Sequence, residues 1–149
     1  MGTRSLTVVA ESDGGAENVV MYRQMDGYPE GHGKELVKAF GDYQICNGYG
    51  SEQNVGKWAN GMSCLAAQVV AHFKDGIGGF YLHPSGVRGY DEEYIYYLYP
   101  RSREFAFNPP SPARRNEITL CLRVLSVGMD ENEVLYDGSI ENAKEWLGV

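Results

Sequence analysis

A 20-residue amphipathic segment, residues 57–76, constrains the fold of this chain more than any other stretch. In "KWANGMSCLAAQVVAHFKDG", apolar side chains recur at the three- and four-residue spacing of an α-helix. The apolar stripe consists of Trp58, Met62, Leu65, Ala66, Val69, Val70 and Phe73. Gly76 can end the helix, because glycine readily adopts the left-handed conformation at a helix C-terminus. We therefore expect one long central helix that packs against a sheet.

The chain before this helix predicts a β-hairpin followed by a shorter helix. "TRSLTVVAES" and "VVMYRQM" are rich in β-forming residues, and they flank the turn segment "SDGGAEN". "GKELVKAFG" then places Leu36, Val37 and Phe40 on one helical face, and Gly41 supplies a stop. "DYQICNGYGSEQNVG" has no usable period and is expected to be a polar connection.

The chain after the long helix turns to strands. They are predicted in "GGFYLH", in "EEYIYYLYP" up to Pro100, in "EITLCLRVLSV" and in "NEVLYDG". "REFAFNPPSPARRN" reads as an exposed, Pro-rich loop. A last helix follows Ser139, a suitable N-cap residue. Its inward residues are predicted to be Ile140, Ala143, Trp146 and Leu147.

These elements predict an α+β fold with the order ββααββββα. Most connections are short, so we expect a mostly antiparallel sheet of about five to six strands. Two or three helices, including the long central one, would cover one face of this sheet. The 149 residues, 1–149, are expected to form a single domain.

Composition and charge limit the possible functions. The hydrophobic fraction of 43% and the charged fraction of 22% are typical of a soluble globular protein. A net charge of -7 argues against nucleic-acid binding driven by phosphate neutralisation. Arginines could still form a local basic spot around the Pro-rich loop. They are Arg101, Arg103, Arg114 and Arg115.

The lack of visible targeting signals and the cysteine usage predict a cytosolic protein. No apolar run reaches the roughly 18 residues of a membrane span, and no secretory signal is visible. Leu6 stands where N-myristoylation requires Ser or Thr. Cys46, Cys64 and Cys121 are widely spaced and form no C-x-x-C pair, so we expect reduced, mostly buried thiols in the cytosol.

The segment "YRQMDGYPEGHG", residues 22–33, is the main candidate for a binding loop. It resembles a phosphate-binding P-loop, but five residues separate Gly27 from Gly33 and Glu35 replaces the hydroxyl residue. A Gly-rich loop that enters a helix nevertheless leaves N–H groups free, and the helix dipole favours an anion there. Lys34 would add positive charge. The alternative is a purely structural turn.

Histidines are the residues most able to carry chemistry near neutral pH. His32 lies between two glycines and is expected to be accessible as a base, as a ligand contact or as a solvated loop residue. His72, Gln68 and Cys64 would line one side of the long helix, but no H-E-x-x-H pattern accompanies them. We expect no metal site and no cofactor. No nucleophile motif identifies an enzyme.

Tyrosines dominate one predicted strand. Tyr94, Tyr96, Tyr97 and Tyr99 place two rings on each face of the strand. One face can be core, and the other must meet a helix, another subunit or a planar ligand.

Four segments resemble a family of small proteins from bacteriophages and prophages. They are "MGTRSLTVV", "MYRQMDGYPEGHGKEL", "NGMSCLAAQVVAHFK" and "GGFYLHP", and the resemblance spans roughly the whole chain. The family has no assigned activity, so the resemblance implies a setting and no functional residues. That setting is an accessory phage protein in the host bacterial cytoplasm, acting against host defences by inhibiting an effector or sequestering a nucleotide signal.

Three functions are compatible with these observations. The leading hypothesis is a non-catalytic binder that sequesters a small anionic, nucleotide-derived ligand. Its ligand-binding residues would be Arg4, Arg23, Asp26, Tyr28, His32, Gly33, Lys34, Arg88 and Tyr90. The alternatives are a protein-binding inhibitor of a host defence enzyme and a small hydrolase that uses His32. Exposed aromatic residues also favour self-association as a dimer or larger homo-oligomer.

Overall fold

The protein is built on one curled sheet of eight strands with three short α-helices. The computed structural model describes residues 2–50, 57–102 and 118–149. The strands are β1 (Ser5–Ala10), β2 (Glu17–Arg23), β3 (Gln44–Cys46), β4 (Trp58–Asn60), β5 (Phe80–His83), β6 (Tyr94–Ser102), β7 (Ile118–Ser126) and β8 (Glu133–Ser139). The helices are α1 (Lys34–Phe40), α2 (Gly61–Phe73) and α3 (Ile140–Leu147), and a π-helical turn, Pro29–Gly33, leads directly into α1.

The sheet is mixed, and its order is β4-β3-β7-β6-β1-β2-β5, with β8 also paired to β7. The predicted hairpin of β1 and β2 is present and antiparallel. β6 returns beside β1 in parallel, and β3 pairs with β4 in parallel. β3 and β8 share one edge of β7, because β3 pairs at Ile118 and β8 pairs from Cys121 onward. The sheet curls into a half-barrel.

The prediction of a mostly antiparallel, five- to six-stranded sheet with a long central helix is therefore wrong. The described residues form eight strands with two parallel pairings, and α2 has 13 residues. The observed order inserts β3 and β4 between α1 and α2. Trp58 belongs to β4 and not to the helix. Gly61 adopts a φ of 81°, a left-handed conformation that separates the strand from α2.

The three helices cover one face of the sheet, here called the helical face. Its core contains the predicted apolar positions of α1 and most of those of α2, packed against strand residues such as Val9, Met21, Tyr96 and Leu122. The N-cap of α3 is as predicted, since the Ser139 hydroxyl accepts a hydrogen bond from the Asn142 N–H at 3.1 Å.

The other side of the sheet, here called the opposite face, has its own buried cluster. Its members are Leu6, Val8, Ala10, Val20, Ile95, Tyr97, Tyr99 and Cys121. Tyr97 and Tyr99 meet the guanidinium of Arg123, which lies 5.6 and 4.8 Å from their ring centroids. Asp13 and Asp137 both bind Arg123 at 3.0 Å. The tyrosines of β6 are thus accounted for by intramolecular contacts.

Two further expectations concern Pro100 and the Pro-rich segment that follows β6. Pro100 lies inside β6, opposite Leu120, although it was expected to end the strand. The ladder from β6 to β1 ends at Leu98, so at Pro100 the strand pairs only with β7 among the described strands, and proline is tolerated at such a sheet edge. The Pro-rich segment with Arg103, Arg114 and Arg115 lies outside the described residues. Among the described residues, no helix is long and apolar enough to cross a membrane.

Candidate functional site

The segment between β2 and α1 is held tightly against the start of the sheet. Gly27 donates its N–H to the Thr3 carbonyl at 2.9 Å, and its own carbonyl accepts the Tyr96 hydroxyl at 2.7 Å. A Cβ at Gly27 would lie 2.7 Å from the Cβ of Ser5, so only glycine fits this approach. The connection is therefore fixed to β1 and β6 before the π-helical turn begins.

The turn carries His32 into the interior. Its side chain is 0% exposed, although it was expected to be accessible. Nε2 lies 2.6 Å from the Thr7 hydroxyl oxygen, and Nδ1 lies 3.0 Å from Nη1 of Arg23. The imidazole ring also packs against Phe73 and Tyr96, with ring centroids 4.9 and 4.8 Å away. Both nitrogens of His32 are thus engaged.

Arg23 determines the protonation of His32. A guanidinium can only donate hydrogen bonds, so Nδ1 accepts and the proton resides on Nε2, which donates to Thr7. Burial and then the positive charge of Arg23 lower the pKa of His32 to about 3. His32 is consequently a neutral hydrogen-bonding group at neutral pH.

Arg23 is a nearly buried cation, 9% exposed, whose only described ion-pair partner is Glu35. Its Nε donates to the Met25 carbonyl at 2.6 Å, and Nη1 donates to Oε2 of Glu35 at 2.5 Å. Nη2 lies 3.4 Å from Oε1 of the same carboxylate. The guanidinium also lies 5.1 Å from the centroid of the Phe80 ring. The inner side of Arg23 is thus anchored, and its outer side faces Glu35.

An open groove of about 470 Å³ lies on this outer side. We call it the Arg23 groove. It is lined by Arg23, Glu35, Lys38, Ala39, His72, Phe73 and Phe80. The groove combines two cations and one carboxylate with aromatic walls. This combination suits a ligand that has both an anionic group and a flat apolar part.

The structure brings only some of the predicted binding residues to this groove. Arg23 lines it and His32 supports Arg23 from beneath. Gly33 is buried beside Tyr96, where an added Cβ would lie 3.4 Å from the ring. Asp26 and Tyr28 are exposed in the preceding turn, with a weak 3.5 Å contact between them.

Three other predicted residues lie elsewhere. Successive strand residues point to opposite faces, so Tyr22 faces away from Arg23. Tyr90 is 6.2 Å from Tyr22 and stacks on His83 at 3.9 Å, and Arg88 pairs with Glu17 at 2.8 Å. These residues therefore belong to the opposite face. Arg4, immediately before β1, accepts the Glu93 N–H on its carbonyl oxygen at 2.9 Å.

Several backbone N–H groups at the predicted anion site make hydrogen bonds within the turn. Gly31 donates its N–H to the Tyr28 carbonyl and His32 donates to the Asp26 carbonyl, both at 2.9 Å. Lys34, the first residue of α1, is half-buried and directs its N–H to carbonyls of the π-helical turn. These three N–H groups are therefore already engaged and are not free to hold an anion.

Several groove residues escaped the sequence-based prediction. Lys38, Phe73 and Phe80 were not assigned to a site, and Glu35 was noted only as the residue that replaces the P-loop hydroxyl. Thr7, which lies behind His32 and not in the groove, was not assigned to a site either. The spacing of Glu35, Lys38 and Ala39 on one helix face was an available signal. The pairing of Arg23 with Phe80 across β2 and β5 has no local signature.

The side of α2 that carries His72 does not form a metal site. Nε2 of Gln68 lies 3.3 Å from the Cys64 sulfur and donates to the Trp58 carbonyl at 3.0 Å. His72 packs edge-on against Phe40 and Phe73. Within the described part of the chain, no group of three or more His, Cys, Asp or Glu side chains could hold a metal ion.

A second cavity, of about 630 Å³, lies where β3 and β8 diverge along the edge of β7. None of the predicted binding residues lines it. Its described walls are Gly41, Asp42, Tyr43, Gln44, Arg101, Ile118, Thr119, Leu120, Ser139, Ile140, Glu141 and Asn142.

Comparison of the chain with protein-family models, with curated proteins and with solved structures yields no match. The resemblance to phage proteins therefore stays a prediction.

Proposed function

We propose that the protein is a phage-encoded accessory protein that binds and sequesters a small anionic, nucleotide-type ligand in the Arg23 groove. One observation carries the proposal. Arg23 is almost fully buried, is held from behind by Met25 and His32, and directs the rest of its guanidinium toward an open groove. A pre-positioned cation of this kind loses little conformational entropy when it binds an anion.

The charges of the groove favour a phosphate or carboxylate group. The fork of an arginine matches two oxygens of such a group, and partial burial strengthens the attraction relative to water. Lys38 is exposed at the rim of the groove and adds a second, flexible cation. The chain as a whole has a net charge of -7, so the two cations make this groove a local site for anions on an otherwise acidic protein.

The aromatic walls favour a ligand with a planar part. Phe73 and Phe80 lie with ring centroids 5.5 Å apart and an interplanar angle of 35°. The groove volume of about 470 Å³ falls within the range of roughly 300–1,000 Å³ found for small-molecule sites. A nucleotide, with its nucleobase and one or two phosphates, has this combination of a flat ring and negative charge.

Binding is favoured over hydrolysis because His32 has no free nitrogen for catalysis. A general base needs a lone pair within reach of the substrate. Nδ1 of His32 already accepts from Arg23, and Nε2 carries the proton donated to Thr7. A depressed pKa of about 3 would also make His32 a weak base.

The proposal is tested by thermal-shift and calorimetric measurements with cyclic dinucleotides, cyclic trinucleotides and ADP-ribose derivatives. We expect at least one to bind with a Kd of about 1 μM, equivalent to about −8.2 kcal/mol. Lys38→Met should weaken this binding by about fivefold to tenfold without affecting folding, because Lys38 is exposed. Arg23→Lys should weaken it further, since lysine lacks the fork.

Arg88→Lys is the matched control, because Arg88 is paired with Glu17 on the opposite face. It should bind like the wild type. Absence of micromolar binding by every nucleotide tested, or equal loss of binding in Arg88→Lys, would overturn the proposal.

A second candidate, a protein-binding inhibitor of a host defence enzyme, is supported by exposed tyrosines. Tyr81 is 46% exposed and Tyr90 is 45% exposed, and their ring centroids lie 6.1 and 6.2 Å from that of Tyr22 on the opposite face. Partly exposed tyrosines are enriched in protein interfaces. The same surface could mediate the proposed homodimer.

Capture of a stoichiometric protein from bacterial lysate distinguishes the two candidates. If the tyrosine surface is the interface, Tyr90→Ala should abolish capture and Lys38→Met should leave it intact. Mass measurement of the purified protein at two concentrations tests self-association, and Tyr90→Ala should then shift the dimer toward monomer.

A further inference from the structure

The two side chains of the Arg23–Glu35 ion pair differ in their exposure to solvent. The Arg23 side chain is 11% exposed, whereas the Glu35 side chain is 50% exposed. Arginine cannot leave without exposing the acceptors on His32 and Met25. Glu35 can rotate into water, because one face of its carboxylate is already solvated and its backbone belongs to the surface of α1.

The N–H groups of Arg23 also differ in the length of their hydrogen bonds. Nε and Nη1 make short hydrogen bonds, of 2.5–3.0 Å, to Met25, His32 and Glu35. Nη2 makes one long contact of 3.4 Å to Glu35, and its second N–H has no partner within the described residues. The groove-facing side of Arg23 therefore has an N–H available to an oxyanion that enters the groove.

Lys38 supplies an alternative partner for Glu35. It lies three residues further along α1, on the same side of the helix, and both side chains line the Arg23 groove. Lys38 makes no ion pair with any described residue. A carboxylate displaced from Arg23 can therefore pair with Lys38 and does not become an isolated charge.

We infer that the outer side of Arg23 is an exchangeable oxyanion subsite, which Glu35 fills in the free protein and which a phosphate or carboxylate group of the ligand takes over. This inference rests on the function proposed above. The Glu35 carboxylate stands in for the anionic group of the ligand. On binding it moves toward Lys38, and Arg23 remains neutralised throughout.

The exchange of Glu35 for a ligand group should make the groove select among anions. The affinity for a ligand reflects the difference between its oxyanion and the Glu35 carboxylate. A ligand with a single carboxylate gains little, because it replaces a group of the same charge and shape. A phosphate dianion gains more, because it has higher charge and additional acceptor oxygens for the unused N–H of Nη2.

The test uses inorganic phosphate as the probe and compares Glu35→Gln with the wild type. Thermal unfolding is followed in phosphate and in sodium chloride of equal ionic strength. Because the variant leaves Arg23 without its counter-ion, phosphate should raise its unfolding temperature more than that of the wild type. Calorimetry should give a phosphate affinity at least about tenfold higher for Glu35→Gln.

Two further variants keep the inference falsifiable. Glu145→Gln removes one exposed carboxylate from α3, which does not line the groove, and should respond to phosphate like the wild type. Glu35→Asp keeps the net charge but shortens the side chain by one methylene, so it should raise the phosphate response in the same direction as Glu35→Gln.

Equal phosphate responses in the wild type, Glu35→Gln and Glu35→Asp would overturn the exchange. Nucleotide binding that depends on Arg23 and Lys38 would still support the proposed function in that case. Failure of the proposed function has a separate signature, namely nucleotide binding that is absent or indifferent to those two cations.

Discussion

Arg23 donates a hydrogen bond to Nδ1 of His32 over 3.0 Å, and this contact makes the histidine a donor toward Thr7. A cation on β2 therefore sets the tautomer of a buried residue in the π-helical turn. The same contact holds the guanidinium at the Arg23 groove. Changes to this network should therefore affect both the stability of the protein and the ligand binding proposed for the groove.

The stability of the protein should fall as the pH is lowered through the range in which His32 titrates in the unfolded chain. Its pKa is about 3 in the folded protein and near 6.5 when unfolded, so the unfolded state takes up the proton first. The contribution of neutral His32 is fully present above about pH 6.5 and is lost toward about pH 3.

Urea unfolding at about pH 7 and about pH 5 measures this effect. The free energy of unfolding should drop by about 2 kcal/mol more in the wild type than in His32→Gln. Glutamine offers one donor and one acceptor but does not titrate. Parallel losses in the two proteins would exclude His32 as the cause.

Thr7→Val should destabilise the protein by about 1–3 kcal/mol, because it leaves the Nε2–H of a fully buried His32 without an acceptor. Valine keeps the shape of threonine and suits a strand. Chemical denaturation measures the change. Thr119→Val, at a half-buried position of β7, is the control and should change stability by less than about 1 kcal/mol. Equal effects would contradict the assigned hydrogen bond.

Two glycines of the π-helical turn should differ in how well they tolerate alanine. A Cβ at Gly31 would lie 2.6 Å from the Asp26 carbonyl oxygen, so Gly31→Ala must shift backbone and should cost about 1–3 kcal/mol. A Cβ at Gly33 would meet Tyr96 at 3.4 Å and Leu147 at 3.6 Å, which are tolerable contacts.

Gly33→Ala should therefore stay within about 1 kcal/mol of the wild type, helped by the better helix propensity of alanine. Thermal or urea unfolding of both variants provides the measurement. If Gly33→Ala were the more damaging change, the packing described for the turn would be incorrect.

Thiol reactivity should single out Cys64. Burial raises the pKa of the Cys46 thiol and of the Cys121 thiol, and both side chains are buried. Cys64 is half-buried on α2. A thiol reagent at mildly alkaline pH should modify one cysteine of the native protein quickly and the other two only on unfolding. Mass spectrometry after digestion identifies the site, and rapid labelling of Cys121 would contradict its burial.

Helix faces and helix caps were predictable from the sequence, because they depend on residues close together in the chain. The inward positions Leu36, Val37 and Phe40 of α1 follow from helical spacing. The N-cap of α3 follows from a serine at the right place. Trp146 is the exception, since it is 40% exposed and stacks on Tyr136 with ring centroids 5.2 Å apart.

β3 and β4 were missed because each has three residues, too few to show a period. They exist through their pairing with each other and the contact of Ile45 with Ile118. The candidate site was predictable only as a region. Arg23 and His32 were both named, but the expected exposure of His32 was wrong. Two of the N–H groups expected to be free before the helix, those of Gly31 and His32, are hydrogen-bonded within the turn.

The sequence by itself determined the hairpin, the apolar faces of the helices and the position of the loop that carries His32, because these depend on residues close together in the chain. Tertiary structure alone decided the parallel pairing of β1 with β6, the burial of His32 against Thr7 and Tyr96, and the meeting of Arg23 with Phe80. These contacts join residues far apart in the chain. Their free energy comes from burial and pairing across that distance, and no local periodicity encodes it.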